Sequence, residues 1–200
     1  MRPRMIVVAG PPGSGKSVLF PVHSFEIDYF NADDRSAQLN GGSYQGISLE
    51  TLAAVNLEFE QFVEGHIQRG ISFAIETTLR SDITFRQMDL ARRHGFELHM
   101  LYVAVSDFSL NLKRVTDRAR AGGHSAPPAQ LLAIHQASLA NLPRAIREVD
   151  DLNIYDNSVP GGPAQRVLSS RNGVIDFRFS PSPEWLRRAL DRTVYEFAAE

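Results

Sequence analysis

Short apolar runs alternate with amphipathic stretches over the first three quarters of the chain. Met5 to Ala9 is rich in β-branched residues and stops at Gly10 and two prolines, as a buried strand does. Glu26 to Phe30, Ile71 to Ile75, Leu98 to Val105 and Leu152 to Tyr155 read as further strands. Between them lie stretches with helical spacing. From Leu49 to Arg69 the residues Leu52, Val55, Phe59, Phe62 and Val63 form one apolar stripe. Ser48 can cap its start and Gly70 fits the position past its end. The pattern predicts more helices at about Asp82 to His94 behind Ser81, Asp107 to Ala121, and Ala129 to Ala140, with a last turn from Pro143 towards Val149. Asn40 to Gly46, with three glycines, reads as a flexible loop. Strand–helix alternation of this kind is the pattern of βαβ units and a largely parallel sheet.

Beyond Asn157 the texture changes. Arg166 to Ser170 and Val174 to Phe179 flank Arg171-Asn172-Gly173, a strong hairpin signal, and a helix over about Pro183 to Ala199 ends the chain. Trp185, the only tryptophan, is expected to anchor that helix to the core. The expected architecture is α/β, a mostly parallel sheet flanked by helices, with a C-terminal β-hairpin and helix. Residues 1–158 form the body of the domain in this division, and 159–200 an extension of the same domain.

The first strand runs into Gly10-Pro11-Pro12-Gly13-Ser14-Gly15-Lys16-Ser17, which fits the P-loop pattern G-x-x-x-x-G-K-[ST]. Glycines let successive backbone N–H groups turn inward around a phosphate, and the following helix start adds its dipole. Lys16 reaches the β- and γ-phosphates, and the Ser17 hydroxyl ligates Mg²⁺. Composition sharpens this. The basic residues are 19 Arg and only 2 Lys, so a lysine at the one motif position that demands it carries weight.

Other function classes recede. A formal net charge of −2 offers no electrostatic case for nucleic acid or an acidic membrane. Cysteine is absent, which excludes disulfides, thiolate nucleophiles and cysteine zinc sites and fits a cytoplasmic location. No apolar run approaches the roughly 20 residues of a spanning helix. His23, His66, His94, His99 and His135 show no metal-ligand spacing, and His94 and His135 read as helix-surface residues.

Three further features bear on chemistry, each with a plain structural reading beside it. Asn31-Ala-Asp33-Asp34 follows the second strand, where a carboxylate can stand beside a γ-phosphate. A helix cap explains the same residues equally well. Glu76, Thr78 and Arg80 alternate off the third strand, so an extended chain points them to one side, as a polar pocket or as an ordinary strand end. Glu60 lies at the margin of the long helix's apolar stripe, a place more often held by a surface carboxylate.

With these residues in view the chain resembles the zeta-toxin family of P-loop kinases, and closely its bacterial branch of zeta-toxin-like predicted ATPases. The resemblance runs from about Ile6 to Ser158 and rests on GPPGSGKS at 10–17, FNADD at 30–34, IETTLRS at 75–81, RAGGHSAP at 120–127, SLANLPRA at 138–145 and YDNS at 155–158. It implies a phosphotransferase using Mg²⁺ and ATP or GTP. Asp33 matches the base that activates a sugar hydroxyl. Glu76, Thr78 and Arg80 match residues that hold UDP-N-acetylglucosamine, and Glu60 stands where the family has another substrate-holding Glu. Arg114, Arg118 and Arg120 stand for the lid arginines, with His124 at the tip of the lid turn. The family also implies an antitoxin. No such segment precedes the P-loop here, so the expectation is an inhibitor that is a separate chain or absent. The chain departs from the family where Pro21 interrupts the P-loop helix. Read from the residues alone, two alternatives stay open: another small-molecule kinase, with NAD or an antibiotic as acceptor, or a non-kinase nucleotide-dependent binding module.

Overall fold

Strand β1 (Arg4–Ala9) lies inside a seven-stranded sheet because five of its six side chains are buried and only a two-faced cover can bury both sides of a strand. The computed structural model describes residues 2–123 and 126–197. The other strands are β2 (Asp28–Phe30), β3 (Phe73–Thr77), β4 (Glu97–Ala104), β5 (Asp151–Asp156), β6 (Gln165–Arg171) and β7 (Val174–Arg178). Their spatial order is β2-β3-β1-β4-β5-β6-β7, parallel through β5 and antiparallel thereafter. Phe30, Ile75, Val7, Met100 and Leu152 align across the five parallel strands, so their carboxyl ends open onto one edge.

The helices are α1 (Lys16–Leu19), α2 (Ala32–Leu39), α3 (Leu49–Arg69), α4 (Ile83–Arg93), α5 (Phe108–Arg120), α6 (Pro128–Ala140), α7 (Leu142–Glu148) and α8 (Glu184–Phe197). The main core includes Met5, Val7, Phe73, Ile75, Met100 and Leu152 from the strands and Val63, Phe85, Leu142 and Leu186 from the helices. At about 1.5–3 kcal/mol for each large apolar side chain removed from water, this layer supplies most of the cohesion. The opposite face has a thinner cover. There Ile6, Val8 and Ala74 pack against Val22, with Phe20, Phe25 and Ile27 beside them. The reason is local: Pro21 stops α1 after a single turn, and a 3-10 turn over Val22–Phe25 follows in place of a long helix.

Several sequence expectations hold closely. Helix α3 has the expected bounds, with Ser48 accepting from the Thr51 N–H at 3.0 Å and Gly70 at φ 64° ending it. Asn172 and Gly173 both adopt positive φ, 48° and 80°, as a tight Asn-Gly hairpin requires. Trp185 is buried and donates from its indole to Asp156 at 2.8 Å, fixing α8 to the end of β5.

Others need correction. The second strand begins at Asp28, because Glu26 sits in the left-handed region at φ 56° and breaks the extended run. Asp82, not Ser81, precedes α4, and its carboxylate goes to Arg144 and Arg86 while no side chain caps the helix. His135 is buried against Phe108 rather than on the helix surface, and desolvation lowers its pKa below the usual histidine value. The C-terminal helix is described to Phe197, so the expectation at Ala199 lies outside the described residues. Among the described residues no helix is long and apolar enough to cross a membrane.

Candidate functional site

The segment Gly10–Ser17 leaves the end of β1 at the edge where the parallel strands open. A loop can aim its N–H groups at an anion only when its carbonyls point away and find donors of their own. Here they do. The Pro11 carbonyl accepts from the Ser14 N–H at 3.2 Å. Asn111, buried on α5, gives its amide to the Pro12 carbonyl at 2.8 Å. Asn157, just past β5, gives its amide to the Ser14 carbonyl, also at 2.8 Å. Gly15 stands at φ 91°, and a β-carbon there would lie 2.3 Å from the Asn157 amide nitrogen, so the close approach requires glycine.

Lys16 and Ser17 open α1 and meet one carboxylate. The Ser17 hydroxyl donates to Glu76 Oε1 at 2.9 Å, and Lys16 Nζ stands 3.5 Å from the same oxygen. The Lys16 and Glu76 side chains are only 11% and 8% exposed. Glu76 Oε2 is buried and has no hydrogen-bond partner among the described residues. A hard-oxygen pair with coordinating capacity left over suits a divalent cation such as Mg²⁺. Among the described residues no group of three or more His, Cys, Asp or Glu could hold a metal ion, so such a cation needs oxygens from a ligand or water as well.

Glu76 therefore sits apart from the two residues grouped with it in the sequence. Strand β3 ends at Thr77, and Leu79 adopts φ 55°, its N–H bonded to Thr77 Oγ1 at 3.2 Å. The chain turns there, so the alternation of Glu76, Thr78 and Arg80 along an extended strand does not exist. Thr78 is half-buried and Arg80 is exposed.

The carboxylates after β2 separate cleanly. Asn31 caps α2, accepting from the N–H groups of Asp33 at 3.0 Å and Asp34 at 3.3 Å. The cap is thus Asn31 itself, and the Asp33 side chain is not needed for it. Asp33 is exposed, and its carboxylate has no hydrogen-bond partner among the described residues. Asp34 accepts from the Tyr44 hydroxyl at 2.8 Å, and this bond, helped by burial, raises the tyrosine pKa above its ordinary value. Register brings the region together: Phe30 pairs with Ile75, so the chain passes into Asn31 beside Glu76.

The glycine-rich segment 40–46 is closed by its own side chains. Asn40 donates to the carbonyls of Ser43 and Gln45, both at 2.9 Å, while Gln45 reaches the Ala119 carbonyl at the end of α5. The arginines of α5 differ among themselves. Arg114 donates to the Asn157 carbonyl at 3.0 Å, and its Nη1 is buried without a partner among the described residues. Arg118 and Arg120 are exposed, with Arg120 lying 3.6 Å from Asp117. Glu60 is exposed on α3. His124 lies outside the described residues. Asn111 and Asn157 went unassigned in the sequence. Asn157 stood inside YDNS without a role, and a single amide on a helix such as Asn111 gives no periodic or motif signal.

The model of the AAA domain family matches residues 5–140. An uncharacterized protein of Haemophilus influenzae is 29% identical over 129 positions, covering 62% of this chain and 86% of that protein. Among solved structures, a chain of the AvrRxo1-ORF1:AvrRxo1-ORF2 complex with sulphate ions superposes with a TM-score of 0.70 at 13% identity, over 94% of this chain. This chain spans only 64% of that one, and the same complex also has a structure with ATP. A chain of the PezAT toxin–antitoxin system of Streptococcus pneumoniae superposes with a TM-score of 0.63 at 16% identity, over 100% of this chain and 88% of that one. At these identities the likeness is one of fold: an α/β P-loop sheet ending in an antiparallel hairpin and a helix.

Proposed function

The chain belongs to the AAA domain family of P-loop proteins, and we propose that it is an ATP- or GTP-dependent phosphotransferase of the zeta-toxin type, acting on a hydroxyl of a small metabolite. The observation that carries this reading is the free carboxylate of Asp33, one strand away from the Lys16–Ser17–Glu76 cluster and released from capping by Asn31. A nucleotide-dependent binding module needs the P-loop but no proton acceptor.

In this reading Gly10–Ser17 wraps the donor phosphates and Lys16 moves from Glu76 to neutralise the β- and γ-oxygens. Ser17 and Glu76 are the residues that would hold Mg²⁺, which when bound adds positive charge at the β- and γ-phosphates. Asp33 takes the proton from the acceptor hydroxyl. Arg118 and Arg120, exposed at the end of α5, supply charge to the transferring phosphoryl group, and Thr78, Arg80 and Glu60 are assigned to the acceptor. A nucleotide sugar such as UDP-N-acetylglucosamine is the proposed acceptor class, with support from the family resemblance and from the fold shared with a PezAT chain. A separate antitoxin chain is proposed on the same ground.

The test is a metabolite screen with purified protein, Mg²⁺ and labelled ATP, read by mass spectrometry. ADP release that depends on an acceptor supports the kinase, and release indifferent to every acceptor supports the binding module. Two substitutions refine the assignment. Glu76→Gln removes the charge beside Ser17 and is expected to raise the Mg²⁺ concentration needed for half-maximal nucleotide binding about tenfold, the worth of one charge-assisted contact. An unchanged Mg²⁺ titration would place the ion elsewhere. Arg80→Ala is expected to raise the acceptor KM by one to two decades, a bidentate contact to a substrate phosphate being worth about 2 kcal/mol. A change in ATP KM alone would move Arg80 to the nucleotide site.

A further inference from the structure

Asn157 is held at three points, more than a surface turn requires. Its N–H donates to the Ala104 carbonyl at 2.9 Å, its carbonyl accepts from Arg114 on α5 at 3.0 Å, and its side-chain amide donates to the Ser14 carbonyl at 2.8 Å. The first contact fixes it to the end of β4, the second to α5, the third to the middle of the P-loop. Arg114 has its other terminal nitrogen, Nη1, buried and unpartnered among the described residues. A guanidinium kept there at the cost of desolvation indicates that the bond to Asn157 is worth keeping.

We infer that Asn157 is a positioning residue for phosphate binding: it turns the Ser14 carbonyl out of the P-loop so that the loop's N–H groups converge on the β-phosphate. The inference rests on the nucleotide-binding reading of Gly10–Ser17 and goes beyond it, since it gives Asn157 a part played through the Ser14 carbonyl. The physical reason is the carbonyl. A peptide unit is rigid, so the direction of the Ser14 C=O also sets the direction of the Gly15 N–H on the other side of the same plane. Once the amide of Asn157 is removed, the carbonyl can swing inward and present a lone pair where the loop should present a donor. The second anchor, Arg114, matters because it prevents Asn157 from following the loop. Gly15 completes the arrangement, since a β-carbon there would strike the amide of Asn157.

The experiment uses the full chain and ADP, so no acceptor is needed. Asn157→Ala is expected to raise the ADP dissociation constant about tenfold, the loss expected when one buried hydrogen bond no longer shapes the site. The ³¹P resonance of the bound β-phosphate should move as well, and that of the α-phosphate should stay. Asn157→Asp keeps the size but replaces the donor with a negatively charged acceptor, so it should weaken ADP more than alanine does. It also serves as the second variant if alanine fails to fold. Wild-type ADP affinity in either folded variant, or an unmoved β-phosphate resonance, overturns the inference alone. A wild-type protein that binds no ADP overturns the P-loop reading and this inference with it.

Discussion

Lys16→Ala is expected to abolish the proposed phosphoryl transfer while the unliganded protein stays folded. The lysine is one of two in the chain and stands at the P-loop position that contacts the β- and γ-phosphates. Among the described residues its ion pair is with Glu76 at 3.5 Å, and Glu76 keeps the shorter bond from Ser17 when the lysine is gone. Loss of the pair still leaves a largely buried carboxylate short of a partner and should cost about 3 kcal/mol, which lowers the melting temperature by roughly 6–12 °C for a chain of this size. The functional loss is of another order, because the positive charge facing the transferring phosphoryl group disappears from a site with little water. Stabilisation by saturating nucleotide, about 2.7 kcal/mol at a hundredfold excess over the dissociation constant, should shrink in parallel. The measurements are melting curves with and without MgATP and transfer of labelled phosphate to the acceptor. Transfer by the variant at the wild-type rate would refute the P-loop assignment.

What the sequence made legible follows from how local the signals are. The P-loop was readable because its chemistry requires particular residues at fixed spacing, and α3 because Ser48, a stripe of apolar positions and Gly70 agree with one another. The hairpin was readable because Asn172 and Gly173 tolerate positive φ. The failures are those of long-range geometry. Strand alternation placed Glu76 with Thr78 and Arg80, but Leu79 turns the chain and β1–β3 pairing delivers Glu76 to Lys16 and Ser17. No rule of spacing reports a contact between residues 59 positions apart. His135 was misplaced because α6 has apolar and polar residues on all sides, so its buried face is set by α5 and not by its own pattern. Asn111 and Asn157 were silent because an asparagine that satisfies a distant carbonyl looks, in sequence, like any other asparagine.

The substitution that separates kinase from binding module is Asp33→Asn. Asparagine keeps the size of the side chain and most of its hydrogen bonding, and removes only the ability to take a proton. The structure shows the helix cap that the motif also predicted, with Asp33 and Asp34 in the first turn of α2. Asn31, not Asp33, accepts the first N–H groups of α2, so a fold that loses the Asp33 charge loses no cap. The small favourable interaction of a carboxylate with the helix start is worth about 0.3–1 kcal/mol at an exposed site, too little to disturb folding. If Asp33 is the base, turnover falls by roughly 10²–10⁴ with ATP affinity nearly unchanged. Asp34 is the internal control. Its carboxylate is engaged by the Tyr44 hydroxyl at 2.8 Å, so Asp34→Asn should loosen that contact and the 40–46 segment with a turnover loss of less than about tenfold. Both variants are compared with wild type on the acceptor found in the metabolite screen, with ATP binding measured separately. A turnover ratio near one for Asp33→Asn refutes its role as base and favours the binding module. A loss of 10² or more at Asp34 and not at Asp33 would mean that the base lies one residue further along α2, with Tyr44 bonded to it in the resting protein.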